Sequence, residues 1–409
     1  MNLTDFFTDP ILRPSTVGSM LMCFASALVG VIVVLRKRSL IGETLSHASF
    51  PGVVIGIGIA SLLLPFRDEF VSLAVLSGAT LFAILGLKTL EKLETRLHVK
   101  PDTALCFVLA SFFGFGILLA SYMQKANPLW YKQALIFLYG QAATMTNEHV
   151  KIYGLLGLLI ASFILYSYRY LELVNFDASF AETLGIRSKR LDQIVFFLIV
   201  LAIVVGIRSV GVVLMSGMLI GPAITARPLA QKLSHQLIFA GFFGLCSGFL
   251  GNYFSVLLSL PTGPAILLVS STLCLLSLLF APKSGLIIRH IRMKTFQFQC
   301  CVENALKALW KGGPTKVSRR IQKQLFKKGW IDSKGLTKAG KEAAEKIVRL
   351  HRLWEVYLVD YLGQKAEKVH QTAEELEHLM SPELERQLTE ILNNPRHDPH
   401  HQPIPPGST

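Results

Sequence analysis

From residue 17 to 281 the chain is a succession of apolar runs, each about 20 residues long and separated by short polar connections. A hydrocarbon core of roughly 30 Å takes about 20 residues to cross at 1.5 Å per residue. Lipid offers the backbone no hydrogen-bond partner, so runs of this length must fold as helices. The pattern places spans near 17–35, 43–64, 70–88, 103–123, 150–168, 191–207, 210–226, 236–256 and 263–281, and no comparable run follows Pro282. Hydrophobic residues make up 51% of the chain, and the polar ones concentrate in its last third. The expected fold is therefore all-α, a polytopic bundle of eight to nine transmembrane helices followed by an α-helical soluble domain. Asp5, Asp9 and Arg13 precede the first apolar run without the basic start and small-residue cleavage site of a signal peptide, so that run is expected to remain as an anchor.

Basic residues orient the bundle. Arg36-Lys37-Arg38, the stretch 88–100, Arg187-Lys189-Arg190, Arg227 with Lys232, and 283–294 all fall on one side if there are nine spans. The positive-inside rule then puts the N-terminus outside and the C-terminal domain in the cytoplasm. The apolar piece 129–139 is too short to cross and would break this parity, so it is expected to be re-entrant or interfacial. The six cysteines form no disulfide framework: Cys23, Cys106, Cys246 and Cys274 stand alone in apolar runs, and the adjacent Cys300 and Cys301 lack CxxC spacing. No GxxxxGK[ST] loop occurs, so the chain is not expected to be an enzyme; if ATP drives it, hydrolysis belongs to a separate chain.

Two groups of metal-type ligands stand out, one in each part of the chain. Glu43 and His47 are four residues apart at the mouth of the second apolar run, on one face of a helix and one turn apart. A charged residue near the bilayer centre costs about 2.5–3.5 kcal/mol, less toward the ends, so the pair calls for a compensating role. Ion coordination is one such role; a carboxylate favoured by the helix dipole beside a histidine bonded to a neighbouring carbonyl is the plainer one. In the tail, His351 and Glu355 are at i, i+4, and His370, Glu374, Glu377 and His378 fall at i, i+4, i+7 and i+8, one continuous face. Such faces suit a two-helix metal site, although a solvated acidic helix shows the same spacing. Oxygen and imidazole donors without thiolate favour Mn(II) or Fe(II), with Zn(II) open.

The segment Gly42, Glu43, Leu45, Ser46, His47, Pro51, Gly52 resembles a motif of the permease subunits of ABC importers for manganese, zinc and iron, the ABC-3 family: G-[DE]-x-[LI]-S-H, then small residues and P-G. The resemblance runs over about residues 10–285. It implies that Glu43 and His47 hold the passing ion; many members have Asp where this chain has Glu43. Phe176-Asp177, Phe180-Ala181 and Leu184-Gly185-Ile186 look like the family's coupling helix, which implies that Asp177, Phe180, Ala181 and Gly185 dock into an ATPase subunit. On its own terms, a short helix presenting Phe180 beside small Ala181 and ending at Gly185 suits a groove, or is an ordinary surface helix. Residues 210–214 with 221–226, and the Pro261-Thr262-Gly263-Pro264 turn, resemble two further family segments in the right order. The resemblance also implies a bacterial inner-membrane assembly: two permease chains, identical or not, an ATPase subunit and an extracytoplasmic metal-binding protein.

The tail changes character at its middle. Residues 283–349 hold 17 Lys and Arg against 4 Asp and Glu, whereas 350–409 hold 5 against 10. This asymmetry fits a nucleic-acid-binding part joined to a metal-binding or dimerising part, and the stretch 283–294 equally fits attraction to anionic membrane lipid. Leu336-Thr337-Lys338-Ala339-Gly340, His351-Arg352-Leu353-Trp354-Glu355, Lys368-Val369-His370 and Glu377-His378-Leu379-Met380-Ser381 resemble the metal-dependent repressors of the diphtheria-toxin-repressor and manganese-repressor type, over about residues 300–406. By position, Glu374, Glu377 and His378 match ligands of the activating site, with His351 shared or beside it, and Glu355 and His370 match an ancillary site. Glu374 stands where iron-type members use Cys, as in manganese-type members.

The resemblance divides the chain into a permease domain (1–285), a basic linker (286–299), a shortened winged-helix-like region (300–349) and a metal-binding and dimerisation region (350–409). The shortening lies before Gly329, where only two helical stretches fit, about 300–310 and 315–328, and one helix of the repressor pattern is missing. Thr315, Lys316, Arg319, Arg320 and Lys323 would face operator DNA if the second stretch is a recognition helix. The sequence thus points to a permease of an ATP-driven divalent-metal importer fused to a metal-responsive, repressor-like domain. The alternative is a sensor that inhibits the transporter in cis without binding DNA.

Overall fold

A computed structural model describes residues 4–63, 68–140, 142–312, 317–333, 335–364, 366–376, 378 and 382–406. It divides into two compact units, Met1–Ile288 and Arg289–Thr409.

The first unit is a helical bundle: α1 (Asp5–Thr8), α2 (Leu12–Leu35), α3 (Ile41–Leu63), α4 (Asp68–Thr95), α5 (Pro101–Ala126), α6 (Pro128–Tyr139), α7 (Asn147–Phe176), α8 (Ala178–Thr183), α9 (Ser188–Val210), α10 (Val212–Ala226), α11 (Leu233–Leu258) and α12 (Thr262–Phe280). Among the described residues, seven helices are long and apolar enough to cross a membrane: α2, α4, α5, α7, α9, α11 and α12. Leu118 and Leu165 on α5 and α7 are 70% and 77% exposed, an arrangement suited to lipid and costly in water. The other two expected spans are α3 and α10. The 15 residues of α10 reach about 22 Å, short of a full crossing, and it packs on α2, α3, α11 and α12. α3 is enclosed by α4, α5 and α10, with Leu45, Ala48, Val53 and Ile57 fully buried. Polar groups on α3 therefore face protein, the arrangement that membrane helices with ionisable residues require.

Small residues set the closest approaches. A Cβ on Gly52 would fall 2.0 Å from the carbonyl oxygen of Gly78, so α3 and α4 meet backbone to backbone. The apolar piece 129–139 forms the 12-residue α6, capped by the Asn127 side chain accepting from Leu129 N–H at 3.2 Å. It ends at Gly140, φ +77, which lies against Gly211, φ +88, at the α9–α10 junction. A Cβ at either glycine would come within 2.2–2.4 Å of the other segment's backbone. Two glycines thus hold this short helix against the bundle.

The second unit contains most of α13 (Leu286–Trp310), then α14 (Arg319–Lys327), a two-residue antiparallel hairpin of β1 (Ile331–Asp332) and β2 (Gly335–Leu336), α15 (Lys338–Asp360), α16 (Ala366–Leu376) and α17 (Pro382–Ile391). The stretch 286–299 is helical, part of α13. Val302, Leu306, Leu325, Ala344 and Ile347 form one small core, and Leu358, Val369 and Ala373 another. Buried Arg349 on α15 bonds Glu385 and Thr389 of α17 and donates to the Pro405 carbonyl, while Arg352 pairs with Asp398 and donates to the Pro403 carbonyl. These arginines fasten the irregular C-terminal segment onto α15.

Candidate metal sites

On α3 the helix's own carbonyls take up the neighbouring hydroxyls: Thr44 Oγ1 donates to Leu40 O at 2.9 Å and Ser46 Oγ to Gly42 O at 2.7 Å. His47 does the same through Nδ1, 2.9 Å from the Glu43 carbonyl. A carbonyl only accepts, so Nδ1 carries the ring proton and the Nε2 lone pair is left for a cation. The imidazole is buried and meets the edge of Phe113, ring centroids 4.6 Å apart. Glu43 stands half-buried in the first turn. Two donors are fewer than the four to six or more that a divalent ion takes, so an ion held here would need further ligands from protein or water.

The segment between α7 and α9 is built as a presented helix. Asp177 caps α8 by accepting from Phe180 N–H at 3.0 Å, Phe180 and Phe176 are exposed, Ala181 is buried, and Gly185 ends the turn at φ +78. Its base is clamped by Arg36, at the end of α2, which donates to Asn175 at 3.3 Å and pairs with Asp192 at 2.7 Å. Two residues on, Arg38 holds Glu94 of α4 through two bonds of 3.1 and 2.8 Å.

In the tail, α15 and α16 bring His351, Glu355 and His370 together. His351 Nε2 lies 3.0 Å from His370 Nδ1 and 3.2 Å from Glu355 Oε1, and His370 Nδ1 lies 2.9 Å from that oxygen. Among the described residues this is the group of three donors that closes to metal-binding distance. Ligands about 2.1 Å from an octahedral ion stand about 3.0 Å apart at right angles, whereas a tetrahedral ion at about 2.0–2.1 Å spreads them to about 3.3–3.4 Å. The donor types and their spacing fit a divalent ion. His351 and Glu355 are buried and the His370 side chain is 58% exposed, which leaves a route from solvent. Burial works to raise the Glu355 carboxyl, but hydrogen bonds and charge from His351 and His370 prevail and push it down to about 2. Glu374 is exposed outside the triad, and Glu377 lies outside the described residues.

Similarity to known proteins follows the same two-part division. A model of the ABC 3 transport family matches residues 8–281. The chain belongs to that family. A second model, the iron dependent repressor, metal binding and dimerisation domain, matches residues 337–406 of this ABC 3 protein. The "Probable metal transport system membrane protein" of Chlamydia trachomatis is 35% identical, with 98% of each chain aligned. The "Manganese transport system membrane protein MntC" of Bacillus subtilis is 34% identical over 72% of this chain and 66% of that one. Among solved structures, "PsaBC from Streptococcus pneumoniae in complex with Fab" shares the membrane fold, with a TM-score of 0.60, 24% identity and coverage of 71% and 98%.

Two side chains of the ABC 3 protein's tail escaped the sequence reading, both on α13. Glu303 bonds His378 Nδ1 at 2.6 Å, and Lys307, one turn further, donates to His351 Nδ1 at 3.2 Å. Burial raises the Glu303 carboxyl, but bonds from His378 and Gln299 hold it below the usual carboxylate range. Their i, i+4 spacing was the one available signal, obscured by the basic composition around it. On α14, Arg319, Arg320 and Lys323 are exposed while Leu325 is buried; Thr315 and Lys316 lie outside the described residues.

Proposed function

We propose that the chain is the permease subunit of an ATP-driven divalent-metal importer in a bacterial inner membrane, with a cytoplasmic tail that senses the same class of ion and represses transcription. The reading rests on one pairing: half-buried Glu43 and buried His47 one turn apart within an ABC 3 bundle, and a closed His351–Glu355–His370 triad within the repressor-type domain. Glu43 and His47 would take the ion released by an extracytoplasmic binding protein. A second permease chain, identical or related, would complete the shell that two donors leave open. Phe180 and Phe176 would seat α8 in a groove of an ATPase subunit, with Asp177, Ala181 and Gly185 fixing its shape. The oxygen and imidazole donors of the tail, without thiolate, favour Mn(II) or Fe(II), with Zn(II) open. Once loaded, the tail would place Arg319, Arg320 and Lys323 on operator DNA.

The test has two arms. Uptake of radioactive or isotopically enriched Mn, Fe and Zn is compared between cells carrying the wild type and Glu43→Ala/His47→Ala; unchanged uptake refutes the coordination role. The full-length chain in lipid nanodiscs is footprinted on its own promoter with and without Mn(II); protection that ignores the metal sinks the repressor role.

A further inference from the structure

Lys307 is only 7% exposed, an unusual place for an ammonium, and the group it meets is a candidate metal ligand. Its Nζ donates to His351 Nδ1 at 3.2 Å, while Nε2 of the same ring faces Glu355 and His370 at 3.2 and 3.0 Å. A metal-ligating histidine ordinarily donates its second ring N–H to a carboxylate, a carbonyl or water, which makes the ligating nitrogen a better donor. His47 follows that pattern through the Glu43 carbonyl. At His351 the polarity is reversed: the ammonium donates to Nδ1, so the neutral ring carries its proton on Nε2, toward the other two donors.

We propose that Lys307 is a tethered cation that weakens the tail's hold on its divalent ion and so sets the concentration at which the tail responds. The proposal rests on the sensing role given above for the triad. Two effects act in the same direction. The ammonium repels an arriving divalent cation across a single imidazole ring, in a buried setting where charge is poorly screened. Its hydrogen bond also keeps the neutral ring's own proton on Nε2, the nitrogen that faces Glu355 and His370, so an ion can be held there only once that proton has moved to Nδ1 and the lysine bond has broken. A structural ion is held best without such an opponent. A sensor must release its ion when the pool falls, and a fixed opposing charge provides that. The position of Lys307 on α13, one turn beyond Glu303 and its bond to His378, ties this adjustment to the helix that also engages the other histidine of the set.

Mn(II) affinity of the full-length chain in detergent is measured from the electron paramagnetic resonance signal of free Mn(II), in a Glu43→Ala/His47→Ala background so that the tail is titrated. Lys307→Met, which keeps the aliphatic stem and removes the charge, is expected to bind about tenfold or more tightly, and Lys307→Arg to stay within about threefold of the parent. Lys307→Gln serves as a second neutral variant if the Met variant fails to fold. Neutral variants binding no tighter than the parent, or the Arg variant binding as tightly as the neutral ones, overturn the proposal. A parent that binds no better than His351→Ala/His370→Ala overturns the sensing role itself, and the lysine's role with it.

Discussion

At the scale of single residues, each candidate site turns on what the second atom of a polar group is doing. The Glu43 carbonyl fixes the His47 tautomer, leaving Nε2 to a cation, whereas the Ser46 hydroxyl is spent on its own helix. His47→Ala is therefore expected to lower metal uptake by about tenfold or more, and Ser46→Ala to leave it within about twofold, both read as initial uptake rates. Glu355 gives a pH prediction with a definite sign. Its carboxyl titrates at about 2 in the folded tail against an ordinary 4.5, so the folded state favours the charged form. The associated stability is fully present above pH 4.5 and is lost as pH falls toward 2. In the Glu355→Gln chain that contribution is absent at every pH, so the difference in thermal midpoint from wild type should be largest above pH 4.5 and shrink toward zero in more acid buffer. A difference that grows on acidification would show that the histidines do not hold this carboxylate.

At the scale of elements, the turn between α2 and α3 is gripped from two sides, by Arg36 on Asn175 and Asp192 at the base of α8, and by Arg38 on Glu94 of α4. The helix bearing Glu43 and His47 begins just after this turn, so a displacement of α8 reaches it through Arg36. Arg36→Ala is expected to reduce uptake several-fold with the chain still inserted, and Arg36→Asp combined with Asp192→Arg to recover part of the loss, measured as uptake per unit of protein in membranes. Gly140→Ala should act through packing instead, because its Cβ would fall 2.2 Å from the Val210 backbone. Loss of about 1–3 kcal/mol, read as a lower melting midpoint in detergent, is the expected outcome. These elements also show what the sequence could reveal. Length and apolarity placed a helix at each of the nine expected spans, of which seven among the described residues are long and apolar enough to cross a membrane and the 15-residue α10 is not, and i, i+4 spacing paired His351 with Glu355, because both signals are local. Glu303 and Lys307 were hidden: their partners lie 75 and 44 residues away, and only tertiary packing joins them. The same packing leaves Glu374, on the predicted face, outside the triad. The onset of α13 at Leu286 was also missed, since its first turns are basic and read as linker.

At the scale of the whole molecule, charge separates two kinds of contact the tail can make. Residues 283–349 carry 17 basic against 4 acidic side chains, and the acidic half follows with the His351–Glu355–His370 triad. α14 is short, but Leu325 anchors it in the small core while Arg319, Arg320 and Lys323 remain exposed, as phosphate contacts require. Each neutralised phosphate adds about 0.9 to the slope of log affinity against log salt. Replacing the three by alanine should therefore weaken DNA binding at every sequence and flatten that slope by about 2.7, without altering Mn(II) affinity. His351→Ala/His370→Ala should do the converse, removing the response to Mn(II) and preserving the salt slope of what binding remains. Fluorescence anisotropy of labelled promoter DNA, with the full-length chain in nanodiscs over a salt series, measures both quantities. If the alanine variant keeps the full slope, the phosphates are held elsewhere, and the exposed cations of α14 serve the membrane surface or solubility instead of an operator.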